Sequence, residues 1–426
     1  MLILFKNARI LTMKSSEVFF GELAVKDNKI FYIGDHFEDE VPDQVIDCEG
    51  NLLMPGFKNA HAHTAMVFAR SCADDLPLHD WLYKTIFPME EKFIDGDIYH
   101  LTKLGILEYL TSGITAAFDM YFRVPEIIQA SEELGFRSVI LATSAQEPIS
   151  LLKERYETIN KPDSLCTYKL GIHAEYTTEE SRIKDVVALA HELKAPIFLH
   201  VGETQSEVAS CVERHGKTPV KYLDSLGFFD NGGGGFHCNF FTDEEVEIFK
   251  KHGCFVVTCP CSNLKLASGI APLAKYAKAG LTIAIGTDGA GSNNALDMFR
   301  EMYLVSTLQK VTNNDPSVMD GFDVLKMATV NGAKVLGLND SDVLDVGKNA
   351  DIIMIDLKNP AMQPINNIAK NIVYSGSKDC VKMTMINGKV LYYDHKFFVD
   401  QDVNEIIEKA NEVTRRLKAW IKTNYS

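Results

Sequence analysis

Pro55-Gly56-Phe57-Lys58-Asn59-Ala60-His61-Ala62-His63 is where the chain changes rhythm. Upstream, from Leu2 to about Gly56, short apolar runs are broken by turn residues, as in Leu23-Ala24-Val25-Lys26, Asp27-Asn28-Lys29 and Ile30-Phe31-Tyr32-Ile33-Gly34, which predicts hairpins. Downstream, a buried-type apolar run is followed by a longer helical pattern, many times over. Runs that read as strands are Gly113–Asp119, Phe136–Ala142, Leu170–His173, Ile197–Val201, Gly235–His237, Phe255–Cys259 and Thr282–Asp288. The helical pattern is clear in Glu179–Leu193, where Ile183, Val186, Val187, Ala190 and Leu193 fall on one face. With the segment around His61 as the first strand, the alternation predicts an α/β fold, a (β/α)8 TIM-type barrel with its chemistry at the C-terminal strand ends.

After about Leu338 the hairpin rhythm returns, in Ala350–Ile355 and in Thr384–Leu391, where Asn387-Gly388 is a strong turn signal. The two flanks are therefore expected to fold together as a small β-sandwich domain, residues 1–56 with 341–426, around a barrel of residues 57–340. A charged amphipathic helix, about Asn404–Lys422, ends the chain. Gly232–Gly235 reads as a loose loop and not a phosphate cradle, because no Lys-Ser/Thr follows it.

The chain has 426 residues, 46% apolar and 24% charged, with a net charge of −15, which suits a globular protein with a large core. The acidic balance argues against nucleic acid as a partner. No run reaches the length of a bilayer span, and Met1–Lys6 lacks a basic region followed by a long apolar stretch, so the expectation is a cytoplasmic protein without a membrane partner. Nine irregularly spaced cysteines predict reduced, mostly buried thiols. Cys259-Pro260-Cys261 is read as structural, since two thiols lack the ligand count of a closed zinc site.

His61 and His63, two apart on a strand, point to one face, and both imidazoles could grip one metal. His200, His237 and Asp288 fall at or near the ends of three further predicted strands. Buried without partners, such groups would each cost several kcal/mol, so their convergence on the catalytic rim points to a site. Glu203, three residues beyond His200, is placed to reach a substrate. Trp81, with Ile86-Phe87-Pro88, offers surface for a planar ring.

These residues carry a resemblance. The chain resembles the amidohydrolase superfamily, in the branch of 5′-methylthioadenosine/S-adenosylhomocysteine deaminases and the related triazine chlorohydrolases. The matching motifs are Pro-Gly-x-x-Asn-x-His-x-His at 55–63, Asp75-Leu76-Pro77-Leu78-x-x-Trp81-Leu82, His173, His200-Val201-Gly202-Glu203-Thr204, His237-Cys238, Ser262–Leu266 with Gly269–Leu273, and Gly286-Thr287-Asp288-Gly289-Ala290-x-Ser292-Asn293-Asn294. The resemblance implies one divalent ion per chain, zinc before iron, held by His61, His63, His200 and Asp288, a set that suits a borderline ion and leaves a position for water. It implies proton transfer by Glu203 and an orienting role for His237, with metal ligation as the alternative. It places His173 at the substrate ring, where the surface of Trp81 is also expected, and Glu90, or its neighbour Glu91, at the ribose. Arg137 matches one of two arginines associated with an amino-acid tail, but Ala142 stands where the second is sought and Ser138–Gln146 holds no other. Arg70 and Arg123 are the nearest substitutes.

The implied activity is hydrolytic deamination of an adenine nucleoside (5′-methylthioadenosine, S-adenosylhomocysteine, 5′-deoxyadenosine or adenosine), with a neutral 5′ tail favoured by the absent arginine. Hydrolysis of another heteroaromatic ring, such as a triazine, pterin or guanine, and a non-catalytic binding protein are the competing readings. Homo-oligomer formation is left open.

Overall fold

Among the residues that the computed structural model describes, 1–72, 74–142 and 147–424, eight parallel strands form the barrel. They are Phe57–Ala62, Ile114–Met120, Arg137–Leu141, Cys166–Ala174, Ile197–Val201, Gly233–His237, Phe255–Thr258 and Thr282–Ile285, paired in sequence order. The seam between the last strand and the first is closed locally. Asp288 N donates to His61 O at 3.0 Å, and the Asn59 amide straps across it, donating to Thr287 Oγ1 at 2.7 Å and accepting from Thr287 N at 2.9 Å. A Cβ on Gly286 would lie 2.7 Å from the His61 backbone N, so only glycine permits this approach.

Inward-facing Ala60, Phe118, Phe198, Phe236, Val257 and Ala284 fill the barrel. Each such phenylalanine contributes roughly 1.5–3 kcal/mol by leaving water. The glycine run is not a loop. Gly233, Gly234 and Gly235 open the sixth strand, and a Cβ on Gly233 would lie 1.9 Å from Ile197 O of the neighbouring strand. Glycine therefore serves close strand approach here, not chain turning.

Strands from both ends of the chain make one nine-stranded sheet, in which Leu52–Pro55 pairs antiparallel with Ile352–Ile355, curled around Phe5, Ile10, Leu53, Ile352, Met354 and Met383. At the floor of the barrel Asp351 joins the sheet to the third strand through Arg137. Lys58, also buried there, donates to Gly56 O at 2.9 Å and Thr115 Oγ1 at 2.8 Å. The terminal helix, Val403–Asn424, packs on the barrel helix Asp97–Thr111, burying Ile406, Ala410, Val413 and Leu417 at helical spacing. Its Arg416 pairs with Asp97. No helix among the described residues is long and apolar enough to cross a membrane.

Candidate active site

The C-terminal strand ends bring His61, His63, His200, His237 and Asp288 together. His61 Nε2 lies 3.1 Å from His200 Nε2 and 3.5 Å from Asp288 Oδ1, and His63 Nε2 lies 3.2 Å from the same carboxylate oxygen. In three of the four histidines the other ring nitrogen faces an acceptor, whereas His61 Nδ1 is buried without a hydrogen-bond partner. His63 Nδ1 meets Met120 O at 2.5 Å, His200 Nδ1 meets His173 O at 2.8 Å, and His237 Nδ1 meets Asn263 Oδ1 at 2.7 Å. These carbonyl oxygens can only accept, so Nδ1 carries the proton and each Nε2 turns a bare lone pair inward. Lone pairs and a carboxylate this close repel one another, and a divalent cation is what such a donor set fits.

Asp288 keeps its second oxygen for the hydroxyls of Ser262 at 2.6 Å and Ser292 at 2.8 Å. Burial pushes its pKa up, but the His61 and His63 rings beside it outweigh that and hold the carboxyl well below the usual range. Burial lowers the pKa of His61 to about 3 and of His173 to about 4, so both rings are neutral at pH 7. His237 and Asp288 both sit in the left-handed backbone region, at φ 70° and 60°. Conformations of this kind cost of order 1–3 kcal/mol and persist where surrounding contacts over-determine them.

A cavity of about 1090 Å³ opens above this cluster, with His63, His200, His237, Asp288 and Glu203 in its wall. His61, fully buried, lies beneath it with its ring stacked on Phe236. Glu203 Oε2 is 3.8 Å from His237 Nε2, and its Oε1 accepts from Ser268 Oγ at 3.2 Å. Burial raises the Glu203 pKa. Trp81, Glu90 and His173 line the same cavity. Tyr121 OH donates to Glu90 Oε1 at 2.5 Å, and burial raises Glu90 to about 7. Glu91 also reaches the wall but is exposed. His173 Nδ1 lies 2.8 Å from Thr177 Oγ1.

Arg137 is not in this group. It is the first residue of the third strand, hence at the barrel floor, where Nε and Nη2 meet Asp351 at 2.9 and 3.1 Å. The expectation that it binds substrate is corrected: the parallel strand separates its guanidinium from the rim. Of the segment 138–146, which carries no second arginine, residues 143–146 lie outside the described residues. Arg70 is held by Glu108 and Asn294 O, whereas Arg123 does line the cavity, bound to Asp95 and Glu126. Glu207, Asn239 and Asn263 surround Glu203 and His237 without having been singled out. Thr204-Gln205-Ser206-Glu207 carries a readable signal, the Thr-x-x-Glu capping box that the structure forms at the helix Gln205–His215.

The amidohydrolase family model matches residues 52–391, and the chain belongs to that family. It is 37% identical over 428 residues, 97% of this chain and 99% of the relative, to a 5-methylthioadenosine/S-adenosylhomocysteine deaminase of Thermoanaerobacter pseudethanolicus. It is 36% identical, over 98% of each chain, to a 5′-deoxyadenosine deaminase of Methanosarcina acetivorans. Among solved structures, an adenosine deaminase from Xanthomonas campestris with bound zinc superposes with a TM-score of 0.92 at 30% identity, covering 98% of both chains.

Proposed function

We propose that the protein is a metal-dependent hydrolytic deaminase of adenine nucleosides, with 5′-methylthioadenosine and 5′-deoxyadenosine as its best substrates. The observation that carries this reading is Glu203, a buried carboxyl of raised pKa on the cavity wall beside His237 and over the histidine–aspartate cluster. His61, His63, His200 and Asp288 would hold one divalent ion, zinc ahead of iron. Bound there, the ion makes water a nucleophile at neutral pH.

The remaining work falls to the chain's own side chains. His237 orients the water, and Glu203 accepts its proton and passes it to the ring nitrogen beside the amine-bearing carbon. Attack forms the new C–O bond; Glu203 then carries the remaining proton of that hydroxyl to the amine, and the C–N bond breaks as the carbonyl forms, releasing ammonia and leaving an inosine-type product. Trp81 and Phe87 enclose the base, His173 faces the ring, and Glu90 accepts from the ribose hydroxyls. The Arg137 geometry favours an uncharged 5′ substituent, since no guanidinium of the third strand faces the cavity among the described residues.

The test is ammonia release from adenosine, 5′-deoxyadenosine, 5′-methylthioadenosine, S-adenosylhomocysteine, guanine and a pterin, with chloride release from a chlorotriazine alongside. Turnover should be fastest on the adenosines. Ammonia from guanine or pterin alone, or chloride from the triazine alone, overturns the reading in favour of another ring, and no turnover at all makes the protein a binding module.

A further inference from the structure

Three side chains that transfer no proton hold Glu203 in place from both sides. The Glu207 carboxylate accepts from three successive amides, Gly202 N at 2.8 Å, Glu203 N at 2.7 Å and Thr204 N at 3.4 Å. On the other side Asn239 Nδ2 donates to Glu203 O at 2.9 Å. Asn239 Oδ1 accepts from Asn263 Nδ2 at 2.9 Å, and Asn263 Oδ1 is the 2.7 Å partner of His237 Nδ1. All three side chains are buried, and Gly202 and His237, at the two ends of the run, both have positive φ. An unbroken line of hydrogen bonds thus joins the backbone of Glu203 to the imidazole of His237.

We propose that Glu207, Asn239 and Asn263 are positioning residues, a bracket that fixes the base of the Glu203 side chain relative to His237 while leaving its carboxyl free to swing. The inference rests on the reading of Glu203 as the proton-transfer group. That role requires one carboxyl to come within about 2.6–3.2 Å of several atoms in turn: the water, the ring nitrogen and the departing amine. The structure suits it. The main chain of Glu203 is held at both its N–H and its C=O, whereas its carboxyl has a single weak hydrogen bond from Ser268 at 3.2 Å. A misplacement of about 1 Å at such a group costs about 10²-fold in rate.

Buried polar groups also pair simply to satisfy one another, and the experiment has to separate that ordinary role from positioning. Glu207→Gln keeps the volume and one acceptor oxygen, and Asn239→Ala removes the link on the far side. Each is made alone and together with Glu203→Gln, and kcat, KM, bound metal and Tm are measured with 5′-deoxyadenosine. Each bracket variant is expected to lower kcat by about 10- to 100-fold with KM changed by less than about threefold and metal retained. In the Glu203→Gln background the Glu207→Gln loss should shrink below about threefold, and the Asn239→Ala loss should keep only the part that reaches His237, because the group being positioned is gone. A full, additive loss in that background, or an unchanged kcat in the single variants, overturns the bracket. Glu203→Gln should itself lower kcat by at least about 10²-fold. If it leaves turnover unchanged, the reading of Glu203 fails instead.

Discussion

Arg137 and Asp351 form a two-pronged ion pair beneath the barrel, both side chains buried, with Asp351 also accepting from Asn387 N at 2.8 Å. The pair ties the third barrel strand to the sheet built from the chain ends. Arg137→Met would leave the carboxylate buried without its partner, at a cost of about 3–5 kcal/mol. We expect a clearly lower Tm by calorimetry and an unchanged ratio of kcat/KM between S-adenosylhomocysteine and 5′-methylthioadenosine. A changed ratio would return Arg137 to substrate binding. Despite burial, which raises it, Arg137 and Lys58 hold the Asp351 pKa below its ordinary value. A depressed carboxyl contributes stability above its unfolded pKa of about 3.9 and loses it as pH falls through the folded value. The difference in Tm between wild type and variant should therefore be full at neutral pH and narrow on the acid side of about pH 4.

Metal removal addresses the cluster at the rim. Elemental analysis should find about one transition-metal ion per chain, as one such open site would hold. Dialysis against a chelator should abolish ammonia release, and zinc or iron should restore it. Full activity in metal-free protein would end this mechanism.

Glu90 makes a prediction in pH. Its carboxyl is raised to about 7 by burial despite the Tyr121 hydrogen bond, and in the proposed ribose role it would accept most strongly from hydroxyls when ionised. For 5′-deoxyadenosine kcat/KM should therefore rise as pH rises through about 7. Glu90→Gln should remove that limb and lower kcat/KM by about 10- to 100-fold, the worth of hydrogen bonds to a charged group. An unaltered profile would pass the ribose to Glu91.

Charge should also exclude nucleotides. Apart from the histidine–aspartate cluster and Glu203, the cavity wall carries Glu90, Glu91, Glu147, Glu175, Glu179 and Glu180, and the arginines described in it, Arg123 and Arg214, are already paired with Glu126 and Glu175. A 5′-phosphate brings a charge of about −1.5 to −2 into these surroundings. Like-charge juxtaposition costs several kcal/mol, so adenosine 5′-monophosphate should fall at least about 10²-fold below 5′-deoxyadenosine in kcat/KM. Comparable values for the two would contradict it.

Strand-end chemistry was legible in the sequence because it is local. His61 and His63 share a face by the two-residue period, and the predicted Ile197–Val201 coincides with the observed strand. Arg137 was misread although its own predicted strand already placed it at the start, the floor end of a parallel barrel. There the family resemblance outweighed the geometric rule. Gly233 and Gly234 read as part of a loose loop in the sequence because the crowding that selects them comes from Ile197 and Phe255 on neighbouring strands, which no local window contains. Asn239 carries no local signal, and Asn263, though inside the Ser262–Leu266 motif, shows no role there, for the same reason: their partners are between 24 and 36 residues away in the chain.

The ladder between Leu52–Pro55 and Ile352–Ile355 makes the order of synthesis matter. A ribosome adding about 5–20 residues per second needs on the order of 15–60 s to cover the roughly 300 residues between these strands. For that interval Leu52-Leu53-Met54, whose other edge pairs with Arg9 and Ile10, presents one apolar edge whose partner does not yet exist, the kind that invites pairing with a neighbouring chain. Slow elongation or truncation before Ile352 thus exposes the cell to aggregation through the part of the protein that does no chemistry.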